Sequence, residues 1–95
     1  FYAQGLRLLT PKRSQVDATG GTVVVRIDNP ARKKVFANAV PRPGGYAIEC
    51  ETSGVRELQL RCAVPAGATY ALRIFAGPPG QTQYPMVGQF EVVSR

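Results

Sequence analysis

Glu49-Cys50-Glu51 is the densest run of reactive side chains in the chain, and a second cysteine, Cys62, follows it. Two carboxylates two positions apart on a strand stand about 7 Å from each other. That separation is comparable to a glycosidase pair, but such a pair also needs a cleft and a raised acid pKa. An exposed strand in so small a domain supplies neither. Histidine is absent, so no Ser-His-Asp or Cys-His arrangement can be assembled. Ser14, Ser53 and Ser94 read as turn, cap or terminal residues. No Cys-x-x-Cys spacing is present, which argues against zinc, and no glycine-rich phosphate loop leads from a strand into a helix. The residues describe a chain without catalysis, metal or cofactor.

The cysteines have a structural use instead. Alternation places Cys50 and Cys62 on the apolar faces of consecutive strands. If residues whose numbers sum to 112 pair, Cys50 faces Cys62 and Glu51 faces Arg61, which sets up a cross-strand charge pair. The thiols are then within reach of a disulfide. Its loop of about a dozen residues would contribute roughly 2–3 kcal/mol. A slip of two residues keeps the same faces inward and leaves two free thiols, packed as small apolar side chains. Both registers stay open. A disulfide implies an extracellular or periplasmic protein, and free thiols imply a cytoplasmic one.

The net charge is +6, from twelve Lys and Arg against six acids, a balance that permits a polyanionic partner. Arg7, Arg26, Arg56, Arg61 and Arg73 fall on alternating strands and read as solvated strand faces. Two clusters stand apart from them. Lys12-Arg13 follows the first strand, and Arg32-Lys33-Lys34 opens the third. Like charges at a strand mouth can hold phosphate or carboxylate groups. Single-stranded nucleic acid would also need interleaved aromatics, and Phe36 is the one aromatic nearby in sequence. Tryptophan is missing, which weighs against a carbohydrate platform. The loop from Ala76 to Pro85 has a polar tip, stiffening prolines and an aromatic end. Gln81, Gln83 and Tyr84 within it form the best single candidate contact surface.

Period-two alternation runs through the whole chain. It predicts seven strands, centred on Leu6–Leu8, Val23–Ile27, Val35–Val40, Tyr46–Cys50, Leu58–Val64, Tyr70–Phe75 and Met86–Val93. The inward set includes Tyr46, Met86, Phe90 and Val92. Gly20-Gly21, Asn29-Pro30, Pro41 to Gly45, Ser53-Gly54, Pro65 to Gly67 and Gly77 to Gly80 break the pattern. One packed and one wet face per strand implies antiparallel sheets in a sandwich or barrel. Gly67 shortly before Tyr70 matches a tyrosine corner, in which the phenol bonds back to the preceding backbone. Residues 1–95 read as one domain, with about two-thirds of the unfolded surface buried. No segment could span a bilayer. The chain opens on Phe1, which reads as a mature form or a piece of a longer protein, with any signal peptide already removed.

FYAQGLRLLTPKRSQVDATGGTVVVRIDNP, then AVPAGATYALRIFAG, then YPMVGQFEVV, resembles the immunoglobulin-like domain found beside transglutaminase-like domains of the kyphoscoliosis-peptidase type. The shared pattern is an opening Phe-Tyr segment, a Val-rich second strand, a Pro-x-Gly-x-x-Tyr-x-Leu-x-Ile-Phe-Ala run and a closing Phe-x-Val strand. The resemblance implies an all-β, antiparallel immunoglobulin-like β-sandwich of about seven strands. It implies an accessory or adhesive module in a secreted or periplasmic protein, meeting a protein partner or a neighbouring domain of its own chain. The family's catalytic residues lie in that neighbour, so none carries over. Two other readings compete. One is a small basic β-barrel binding nucleic acid or another polyanion. The other is a subunit of a secretion or surface assembly built by edge pairing. Oligomeric state is open under each.

Overall fold

A computed structural model describes residues 2–3, 6–10, 15–18, 20–42 and 44–95. Every regular element in them is a strand: β1 (Tyr2–Ala3), β2 (Leu6–Thr10), β3 (Gln15–Ala18), β4 (Thr22–Asp28), β5 (Lys34–Arg42), β6 (Ile48–Glu49), β7 (Glu51–Ser53), β8 (Glu57–Ala63), β9 (Ala68–Gly77) and β10 (Met86–Ser94). They form two five-stranded sheets, β1-β2-β4-β8-β7 and β3-β10-β9-β5-β6. Within these, β2-β4-β8-β7 and β10-β9-β5 have the four-and-three strand order of the immunoglobulin sandwich. The pairing is antiparallel except where β3 runs parallel to β10, with Gln15 opposite Glu91 and Ala18 opposite Ser94.

The core is built from strict alternation. In β4, Val23, Val25 and Ile27 are buried while Thr22, Val24 and Arg26 face out; in β8, Leu58, Leu60 and Cys62 are buried between exposed neighbours. The second sheet answers with Ala37, Ala39, Tyr70, Leu72, Ile74, Phe90 and Val92, and all of these join one cluster. Each fully buried Leu, Ile or Val contributes about 1.5–3 kcal/mol.

Local devices fix the places where the chain crosses between sheets. Between β3 and β4 it turns through Gly20 and Gly21, whose φ values of 81° and 76° suit glycine. Between β8 and β9 the Tyr70 hydroxyl donates to the Pro65 carbonyl at 2.8 Å. There the Val64 amide donates to the Gly21 carbonyl at 2.8 Å and the Gly67 amide to the Ser94 carbonyl at 2.9 Å. The hydroxyl of Ser94 donates to the Val64 carbonyl at 2.6 Å. Ser94 is thus a buried strand residue, 2% exposed, and not a terminal cap. A hydroxyl this deep needs a partner, and Val64 provides it.

The expected Tyr46–Cys50 strand splits. Ile48–Glu49 pairs with β5, through Asn38 opposite Glu49. Glu51–Ser53 pairs with β8, through Glu51 opposite Arg61 and Ser53 opposite Gln59. Cys50 is the residue between them. Its amide still bonds the Ala37 carbonyl in one sheet at 3.0 Å, while its sulfur bonds Cys62 in the other, with the Cα atoms 4.4 Å apart. The pairing is the one whose residue numbers sum to 112. Glu49 and Glu51 therefore edge different sheets instead of sharing one strand face.

Three further expectations change. Tyr46 is 95% exposed, because the turn after β5 runs on to Ala47 and β6 starts only at Ile48. Met86 is 51% exposed. A register shift between Met86 and Gly88 moves it opposite Phe75 on the outer face, whereas Phe90 opposes Leu72; such a bulge inverts the parity of everything before it. Arg56 lies in the turn between β7 and β8 and not on a strand. The strands unforeseen in the sequence are β1 and β3, both short.

Replacing Tyr70 with Phe removes one buried hydrogen bond and keeps the ring. Tyr70→Phe should lower stability by about 1 kcal/mol or more. An unchanged urea midpoint would show that the Pro65 contact contributes nothing.

Candidate interaction surface

The two outward faces differ in chemistry. On the first sheet, alternation turns out Arg7, Arg26, Asp28, Glu57, Gln59 and Arg61. Three of their charges, Arg26, Asp28 and Glu57, are ion-paired. Arg26 pairs with Glu57, and Arg56 reaches Asp28 at 3.7 Å. Arg61 stands opposite Glu51 in register. This is a solvated face whose exposed pairs are worth little individually.

The outward face of the second sheet carries aromatics at one end. Phe36, Phe75 and Met86 share one row across β5, β9 and β10. The rings of Phe36 and Phe75 stack with centroids 5.2 Å apart and planes 17° apart. Tyr84 meets Phe36 edge-on at 5.5 Å. Gly77 makes room for it, since a Cβ there would lie 3.0 Å from Tyr84 Cδ1. The loop is held in place by the Gln81 amide donating to Tyr84 Oη at 3.3 Å and the Ala76 amide donating to the Pro85 carbonyl at 3.2 Å. Gln81 and Gln83 are exposed at its tip, and Tyr84 is half-buried. Further along the face, Arg73 and Asn38 occupy the next row. The Asn38 side-chain oxygen is buried with no hydrogen-bond partner.

The loop between β4 and β5 brings its cations to the same end. Lys34 opposes Gly77 and follows the outward parity of Phe36. The loop is organised by Asn29, which is 1% exposed. Its side chain accepts from the Lys33 amide and donates to the Lys33 carbonyl, both at 2.9 Å. Its own carbonyl accepts from the Arg32 amide at 3.1 Å, and its amide donates to the Arg56 carbonyl at 2.7 Å. The Asn29 side chain thus ties the loop to itself, and its backbone amide ties it to the turn between β7 and β8. Arg32 sits at φ 53°, in the left-handed region that non-glycine residues seldom occupy. A shallow, open depression lies between loop and turn, lined by Arg32, Lys33, Lys34, Thr52, Val55 and Leu58.

The structure therefore brings Arg32, Lys33 and Lys34 to the same end of the sandwich as Tyr84. Tyr70 is set apart from both as a core residue. Lys12 and Arg13 lie outside the described residues. Cys50 and Cys62 are consumed by their bond. Asn29, Phe75, Met86 and Val55 are surface-building residues that sequence reasoning passed over. Phe36 and Phe75 carry a signal, as aromatics in the outward phase of alternating strands. Asn29 carries a weaker one, as an Asn-Pro step just before a run of cations. Among the described residues, no three of the Cys, Asp and Glu side chains gather as metal ligands would, and no helix is long and apolar enough to cross a membrane. No known protein family matches this chain, and no curated protein does.

Two substitutions test how the surface is held. Asn29→Ala strips the Lys33 amide and carbonyl of their partners and should cost about 2 kcal/mol or more, read from the urea midpoint. Gly54, at φ 93°, forms the turn between β7 and β8, and a Cβ there would collide with the Glu57 carbonyl. Gly54→Ala should therefore destabilise by more than about 1 kcal/mol, whereas Gly44→Ala, with open space around it, should stay within about 0.5 kcal/mol of the parent.

Proposed function

We propose that the chain is a non-catalytic immunoglobulin-like interaction module that meets a protein partner, or a neighbouring domain of its own chain, through the outward face of the sheet β3-β10-β9-β5-β6. One observation carries this reading: Phe36, Phe75, Tyr84 and a half-exposed Met86 gather on that face, while the opposite outer face carries ion pairs and, among the described residues, Val24 as its exposed large apolar side chain. Aromatic and Met side chains are the types enriched at the centre of protein interfaces. A rigid sheet also presents them at little entropic cost. The resemblance to the modules beside transglutaminase-like domains supports the same role. The Cys50–Cys62 bond supports an oxidising compartment, outside the cell or in a periplasm.

Binding of single-stranded nucleic acid has less support. Its barrel form would need closed strands, and here they lie in two separate sheets. Base stacking needs open ring faces, and Phe36 and Phe75 spend theirs on each other.

A photo-crosslinking residue at Met86, compared with one at Gln59 on the other outer face, tests the proposal in the source cells. A discrete adduct is expected from position 86 and none from position 59. Equal labelling from both positions, or adducts from position 59 alone, would count against it.

A further inference from the structure

Arg32, Lys33 and Lys34 are three consecutive cations, and no salt bridge reaches them among the described residues. Elsewhere Arg26, Arg56 and Arg95 pair with Glu57, Asp28 and Asp17, and the other described arginines outside an ion pair, Arg7, Arg42, Arg61 and Arg73, stand singly in the sequence, so that only here do three such cations follow one another. The unmatched charge is also held in a fixed shape. Asn29 clamps the Lys33 backbone from both sides, and Arg32 keeps a left-handed φ of 53°. Backbone in such a region persists only where its surroundings over-determine it, and such residues cluster at binding sites. A run of cations serving solubility alone needs neither the clamp nor the strain. The cations rim the open depression whose far wall holds Val55, 63% exposed in the turn after β7, above the buried Leu58. An exposed aliphatic beside three unmatched cations is complementary to a carboxylate-rich chain that also carries aliphatic side chains.

We propose that this depression binds an acidic, extended segment of a protein partner, with carboxylates on Arg32, Lys33 and Lys34 and an aliphatic side chain over Val55. The inference rests on the interaction-module reading and adds a partner chemistry and a second surface, next to the aromatic face. Phosphate or sulfate groups could satisfy the same cations. Val55 offers nothing to a sugar or a phosphodiester backbone, however, so a peptide fits the whole site better.

The probe is a capped hexapeptide alternating glutamate with leucine, titrated into the isotopically labelled, disulfide-intact chain and followed by amide chemical shifts. At about 50 mM salt, where exposed charges act over roughly 14 Å, saturable shifts are expected at Arg32–Lys34 and at Gly54–Val55. The double variant Lys33→Gln, Lys34→Gln should bind about tenfold more weakly, as the loss of two such contacts implies. Val55→Ser should also weaken binding. Arg32→Gly removes a charge while suiting the backbone there, so it keeps the measurement interpretable if the lysine variant misfolds. Four results would each overturn the site: no saturable shift, shifts centred elsewhere, equal affinity for a peptide with glycine in place of leucine, or tighter binding of a single-stranded oligonucleotide or a sulfated oligosaccharide. Crosslinking at Met86 reports the aromatic face separately. Adducts there without peptide binding overturn this site alone, and loss of both overturns the module reading as well.

Discussion

Asn29 is the constraint on which the end of the sandwich carrying Arg32–Lys34 depends. The chain must leave one sheet after β4 and enter the other at β5, and the residue at that departure is almost fully buried. Carbonyl and amide groups stranded there would each cost a desolvation penalty. Asn29 removes the problem by bonding with both ends of its amide and with its own backbone. The same contacts set the path of Arg32–Lys34, fix the turn at Arg56 and thereby define both walls of the depression. The cations are on the surface, but the group that shapes their loop is inside.

The other crossings follow the same logic with different chemistry. Gly20 and Gly21 use a backbone that tolerates positive φ. Val64 is held by Gly21 on one side and Ser94 on the other, beside the Tyr70 phenol. Cys50 uses a covalent bond where the chain changes sheets within a single residue. Antibody domains place their disulfide between the second and sixth strands of the sandwich. Here the corresponding core positions are apolar, with Val25 and Leu72 fully buried. The bond has moved to an edge, where only two or three residues pair on either side of it and hydrogen bonding is thin.

Sequence made the framework legible wherever one rule acted alone. Alternation along β4, β8 and β9 marked the inward residues, because one face of each strand is buried along its length. The pairing sum that joins Cys50 to Cys62 was one of two open registers, and only the crossing to β8 selects it. Alternation misled where a local irregularity reset the phase. The bulge before Gly88 turned Met86 outward, and the late start of β6 left Tyr46 in solvent. The strand β3 was hidden because four residues beside a partner distant in sequence leave almost no periodic trace. The basic run at Arg32 was plain in the sequence, but its clamp was not. A buried asparagine and one in an ordinary turn are the same letter.

The parallel partnership of β3 with β10 bears on how the chain acquires its shape. The strand formed near the start of the domain waits for one formed at its end, and β10 lies between β3 and β9. A ribosome that has released everything up to β9 has released β3 without the strand that joins it to the rest of its sheet. Non-local pairing of this kind slows folding. The second sheet is therefore completed only when the final strand emerges, and β3 has no partner until then.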